Sequence, residues 1–181
     1  MTGPEFFLAL QARIAVHADA LNRLDAALGD GDHGATMLRG LTRAAQADRG
    51  AQAKAFMRAS GGASGTLFGL ILIEIERHLN ENAALGEGLQ RACERIKDLG
   101  QVTTGDKSMI DALAPAAHAL AEGTVQDAVD AAVAGRDRTR DLSARRGRAQ
   151  YVENGGRGHV DPGAVSVVII LETLAGKESA L

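Results

Sequence analysis

Aromatic side chains are scarce in this chain: they make up 3% of 181 residues, with one Tyr, four Phe and no Trp. A base-stacking platform for nucleic acid needs several rings, and a formal net charge of −3 supplies no general electrostatic footprint for a polyanion. Nucleic acid is therefore excluded as a partner. The single cysteine, Cys93, rules out a disulfide framework and a cysteine-rich metal site, and is expected to be a small buried or surface thiol. No apolar run approaches the roughly 18 residues of a transmembrane helix, so no membrane partner is expected. The N-terminal stretch MTGPEFFLALQARIAVHADA lacks a signal-peptide pattern and reads as helix, which makes the expected location cytoplasmic.

What is abundant is alanine, 34 residues, alongside 22 glycines. Alanine is the best helix former, and a chain almost without large rings is expected to be all-α. At about 150 residues per domain, the length predicts one domain over residues 1–181. Phe7, Leu10, Ile14, Leu21, Leu24 and Leu28 share one face of a first helix of about 24 residues. Further helices are expected over 36–47, 51–60, 67–79, 85–99, 109–122 (with Pro115 causing a kink or a late start) and from an N-cap at Thr124 to about Ser143. Asp161 and Pro162 read as N-cap and first residue of a last helix, 163–175. Its run VSVVIILETL has strand composition, but a lone strand in a helical chain would lack a partner.

The glycine-rich polar loops follow the first, third, fifth and seventh of these helices. In an up-and-down bundle all such connections fall at one end, so they predict a functional rim. The first loop carries Asp25, Asp30 and Asp32, whose convergence would require a neutralising cation such as Mg2+. The alternative is that Asp30 and Asp32 are solvated turn residues and Asp25 a helix-end charge, and spacing does not choose between them. The second loop, 61–65, directly precedes a helix and is either a backbone anion site or a tight connection. The fourth supplies Arg148, His159 and Asp161; Arg148 suits phosphate charge or an ion pair with Asp161 or a neighbour. His33 is a better site candidate than the helix-borne His17, His78 and His118.

Three familiar motifs fail. Gly29-x-Gly31-x-x-Gly34 follows a helix rather than a strand, and two Asp side chains would face the pyrophosphate. An EF-hand counted from Asp30 has Ala35 and Leu41 where Gly and Glu are needed. In Gly105-Asp106-Lys107-Ser108 an Asp interrupts the Walker pattern, and no strand precedes it. The surviving combination, a carboxylate-held cation with backbone anion sites and an Arg, suits a nucleotide di- or triphosphate bound through Mg2+.

The segments LNRLDAALGDGDHGATMLRG (21–40), GGASGTLFG (61–69), GDKSMIDALAPA (105–116) and GRAQYVENGGRGHVDPGA (147–164) resemble the nucleotide-binding L subunits of dihydroxyacetone kinases, in the same order and over most of the chain. The resemblance implies an eight-helix antiparallel up-and-down barrel with the nucleotide at one end. It implies Asp25, Asp30 and Asp32 as Mg2+ ligands. It places ADP or ATP contacts at His33, Gly34, Ala35 and Thr36, at Gly62, Ala63 and Ser64, and at Gly100, Met109, Arg148, Asp161, Pro162 and Gly163. Met109 would cover the adenine in place of a ring. Ala35, Thr66, Ser108 and Gln150 depart from residues common in the family, but no metal carboxylate and not Arg148 is lost.

Family members either use ATP directly as two-domain enzymes or work in a phosphoenolpyruvate-dependent system with separate subunits. With no residues left for a substrate domain, the second arrangement is expected. Its partners are a K subunit holding dihydroxyacetone and a phosphocarrier M subunit, with a homodimer left open. Mg2+ and Arg148 would offset charge on the transferring phosphoryl group. Two alternatives remain: a nucleotide-binding subunit serving another hydroxyketone or sugar, and a non-catalytic ADP-loaded interaction module.

Overall fold

The structure, a computed structural model, describes residues 1–176; the last five residues of the expected domain lie outside the described residues. Among the described residues eight α-helices follow in order: α1 (Gly3–Ala26), α2 (His33–Ala45), α3 (Gln52–Ser60), α4 (Gly62–Glu81), α5 (Leu85–Gly100), α6 (Ile110–Glu122), α7 (Val125–Arg138) and α8 (Pro162–Leu174). Three short 3-10 turns lie between α7 and α8, and there is no strand among the described residues. Each helix packs on the next, and α8 returns to pack on α1, which closes the ring. This is the expected antiparallel barrel. No helix among the described residues is long and apolar enough to cross a membrane.

Local chemistry explains most boundaries. Thr2 and Glu5 form a reciprocal capping box at the start of α1, and Thr124 and Asp127 form another at α7. Asp161 caps α8 by accepting the Ala164 N–H at 2.7 Å, with Pro162 in the first turn where its missing N–H costs nothing. α8 is helical despite its β-branched run. Every residue from Ala164 to Thr173 is buried, so packing on α1, α6 and α7 outweighs strand propensity.

Four boundaries differ from the sequence expectation. α2 begins at His33 because Asp32 takes the N-cap position. α4 begins at Gly62, absorbing most of the expected second loop: Gly61, at φ +69°, makes the whole turn from α3. The seventh helix stops at Arg138 and gives way to a 3-10 turn ending at Asp141, after which Leu142 is extended. α6 runs continuously from Ile110 through Pro115. Pro115 has no N–H to give the Asp111 carbonyl, and there α7 passes so close that a Cβ on Gly135 would lie 2.1 Å from that oxygen.

The four phenylalanines, Phe6, Phe7, Phe56 and Phe68, are all buried, and the remaining core is Leu, Ile, Val, Met and Ala. Cys93 is buried, and burial pushes its thiol up from the usual range. With so few large side chains the helices must approach closely. At the α1–α2 contact a Cβ on Gly34 would sit 2.1 Å from the Ala18 carbonyl oxygen, backbone against backbone. Gly34→Ala is therefore expected to destabilise the fold by about 1–3 kcal/mol through overpacking, read as a lower urea midpoint at unchanged m-value; an unshifted midpoint would refute the close-contact account.

Candidate functional site

The four connections expected at one end do meet there, around a pocket of about 600 Å³. Of the sequence-predicted residues, Asp25, Asp30, Asp32, His33, Thr36, Gly62, Ala63, Ser64, Gly100, Met109, Arg148, Asp161, Pro162 and Gly163 line it. Gly34 and Ala35 do not. Gly34 is the α1–α2 contact, and the exposed Ala35 gives its N–H to Asn22 Oδ1 at 3.1 Å. Their motif carries two kinds of residue, and adjacency in sequence hides that successive helical positions face different ways. His17, His78, His118 and His159 are likewise absent from the lining.

Asp25 sits at the end of α1 and is fixed by the start of α2. Its Oδ2 accepts the N–H groups of Asp32 at 3.0 Å and His33 at 3.1 Å, where the positive end of the helix dipole favours an anion. One carboxylate oxygen from each of Asp25, Asp30 and Asp32 falls in a group whose members lie within 4.8 Å of one another. Asp32, although at the N-cap, makes no side-chain capping bond, so its carboxylate is not committed to the helix. An all-oxygen donor set with one member held by backbone and two at the pocket surface fits a hard divalent cation such as Mg2+. Arg148 forms an ion pair with Asp30, rather than with Asp161, at the edge of this cluster.

The first turn of α4 lines the same pocket. Gly61 and Gly62 both have positive φ, no side chain caps the helix, and a Cβ on either glycine would meet open space. Free N–H groups backed by a helix dipole form an anion cradle. Arg39 borders it, with its guanidinium held at 3.0 Å from the Ala59 carbonyl, 2.7 Å from Ser60 and 3.3 Å from the Thr36 hydroxyl. Arg39 was missing from the sequence-predicted set. Its i+3 spacing from Thr36, which puts both on one helical face, was the signal available.

The third loop and α5 supply an apolar wall, including Ile96, Val102 and Met109, with Leu67 from α4. The lining also includes Lys107, from the stretch in which Asp106 interrupts the Walker pattern. Lys107 is 3% exposed and gives its Nζ protons to the carbonyls of Thr139 (2.6 Å) and His159. Burial pulls its ammonium below the usual lysine range, against the opposing pull of Asp161 and Asp111. His33 is buried, its Nε2 at 2.8 Å from Ser166 Oγ and its ring 5.5 Å from that of Phe68. Burial depresses its basicity more than Asp25 and Asp32 raise it, which favours neutral imidazole.

Asp161 shows a large electrostatic effect. Burial pushes its carboxyl up to about 7, although the Ala164 N–H and Lys107 pull it down. The folded chain then holds this proton more tightly than the unfolded chain, whose carboxyl has the ordinary value of 3.8. Its stabilising contribution is complete below that ordinary value and is lost as pH rises through about 7. Asp161→Asn keeps a capping oxygen without the charge. In ligand-free protein its melting temperature should gain on wild type as pH rises from 3.8 towards about 7 and level off above that; parallel profiles would contradict the burial account.

The DAK2 domain family matches residues 27–176. The chain is 33% identical, over 92% of its own length and 90% of the relative's, to the ADP-binding subunit DhaL of a PEP-dependent dihydroxyacetone kinase of Listeria innocua. It is 30% identical to a D-erythrulose kinase of Mycolicibacterium smegmatis, but spans only 34% of that protein. Its fold matches part of the crystal structure of the C. freundii dihydroxyacetone kinase in complex with AMP-PNP and Mg2+, with a TM-score of 0.75 and 27% identity over 97% of this chain and 33% of that one. The chain belongs to the DAK2 domain family, alongside the L subunits of dihydroxyacetone kinases.

Proposed function

We propose that this chain is a kinase-type phosphotransferase subunit that keeps an adenine nucleotide and Mg2+ at its rim. In this reading ADP stays bound as a coenzyme, is charged to ATP, and gives its terminal phosphoryl group to dihydroxyacetone on a separate K subunit, with the M subunit as phosphate source. The observation that carries the reading is the meeting of the carboxylate cluster and the α4 anion cradle in one pocket. A Listeria relative of similar length is named as an ADP-binding subunit, and a solved relative was crystallised with AMP-PNP and Mg2+.

Each part of the rim has a role. Asp25, Asp30 and Asp32 hold the cation, which when bound offsets negative charge on the phosphate oxygens. The N–H groups of Gly62, Ala63 and Ser64 receive phosphate, with Arg39 adding positive charge behind them. The apolar wall around Met109 takes the base, which a soft thioether can cover as a ring would. Arg148, exposed at the mouth beside Asp30, meets the phosphoryl group as it leaves. No nucleophile from this chain is required: the work is positioning and charge compensation.

The acceptor is a small hydroxyketone. The similarity to erythrulose kinases covers only a third of such a protein, so a four-carbon ketose remains a second reading, decided by the partner subunit. Heat-denatured protein should release about one adenine nucleotide per chain; a chain that carries none and also fails to bind ADP with Mg2+ overturns the reading. Asp30→Asn should lose metal and nucleotide together, with ADP affinity falling at least tenfold, about 1.4 kcal/mol. Unchanged ADP retention would remove Asp30 from the metal set. Arg148→Ala should lower phosphoryl transfer by about 10²-fold or more, with a smaller loss of ADP binding; equal losses in both would make Arg148 only a binding residue.

A further inference from the structure

We infer that Lys107 is a positioning residue for the rim: its buried ammonium ties the third loop to the fourth and so holds the Asp161–Gly163 turn and the Arg148 segment over the pocket. The inference rests on the proposed function only for what the pocket binds.

Lysine is almost never fully buried unless its charge is paired, yet Lys107 is 3% exposed. Two of its three protons go to main-chain carbonyls, Thr139 and His159, which lie 32 and 52 residues further along the chain. Those carbonyls bracket the fourth loop. Thr139 is itself fully buried, and its hydroxyl accepts the Asp161 N–H at 2.9 Å. One residue thus receives Lys107 through its carbonyl and passes the constraint to the α8 cap through its side chain. Asp161 then caps α8 through Ala164.

The third loop is built to present this lysine. Lys107 has φ +62°, a left-handed conformation that non-glycine residues seldom adopt and that persists only where surroundings over-determine it. The surroundings here are two carboxylates. Asp111 accepts the N–H groups of Gly105 at 2.5 Å and Ser108 at 2.8 Å, and Asp106 accepts that of Thr103 at 2.8 Å. The Asp106 carbonyl also receives the Arg145 N–H at 3.2 Å, a second tie to the fourth loop. Arg146 adds a third, through the Gln101 carbonyl at 2.8 Å. Most of the ammonium's donors are spent on protein carbonyls, so Lys107 acts through the loop it holds rather than as a phosphate ligand.

The test compares wild type with Lys107→Met and Lys107→Arg for ADP affinity in the presence of Mg2+ and for amide hydrogen exchange. In Lys107→Met, exchange over residues 139–161 should accelerate at least tenfold while α1, α3 and α4 stay unchanged, and ADP affinity should fall at least tenfold. Lys107→Arg, which keeps charge and donors, should recover part of both. Faster exchange with unchanged affinity would make Lys107 purely structural, and lower affinity with unchanged exchange would make it a direct ligand; either overturns the inference. If Lys107→Met fails to fold, exchange in wild type decides. ADP with Mg2+ should then protect 105–109 and 139–161 together, and protection of one without the other overturns the tie. A wild-type chain that binds no ADP defeats the proposed function alone, since the exchange difference between wild type and variants still decides whether Lys107 holds the loop.

Discussion

Packing of α8 on α1 is the contact on which the rest of the molecule depends. A ring of helices joined by short loops closes only if its last member fits against its first. Here the last member is an almost wholly buried Val- and Ile-rich helix. Closure brings the first loop to the fourth, and with it Asp30 to Arg148 and His33 to Ser166, residues that lie 118 and 133 positions apart in the chain. An open stack of the same eight helices would leave three carboxylates at one edge and the arginine segment at the other.

Charge is divided within the pocket that closure creates. Asp25, Asp30 and Asp32 form one cluster, Arg148 of the fourth loop pairs with Asp30, and the α4 N-terminus with Arg39 lines the same pocket. Three carboxylates so close repel, and the chain offsets this with two backbone N–H donors on Asp25 and a guanidinium on Asp30. The same division suits a ligand that is anionic at one end, bridged by a cation, and apolar at the other. The low aromatic content is compatible with a nucleotide base against the wall around Met109.

The helices and the shared rim were legible because both follow from local rules. Capping residues, apolar spacing and glycine-rich breaks mark each helix, and parity of the connections then puts four loops at one end. Where the reading missed, the deciding contact was non-local. Gly34 sits inside the motif that supplies the clustered carboxylates, but its lack of a side chain serves the contact with Ala18. Lys107 looked idle once the Walker pattern failed, because its partners, Thr139 and His159, lie in a loop whose path a motif does not specify. The α4 start was misplaced because glycine disfavours helices in general, whereas here Gly65 and Gly69 are what allow α4 to lie against Ser60 and Met57 of α3.

The sequence by itself determined that the chain is helical, that many of its glycines fall in four connections, and which carboxylates and arginines those connections carry. These are properties of composition and of neighbours within a few positions. Only the tertiary structure decided which of those residues share a pocket, that Arg148 pairs with Asp30, that Asp161 is buried enough to hold a proton near neutral pH, and that Lys107 braces the rim. Burial and long-range hydrogen bonds arise only when helices distant in sequence are packed side by side, and the exclusion of water between them sets both the charge state and the position of each group.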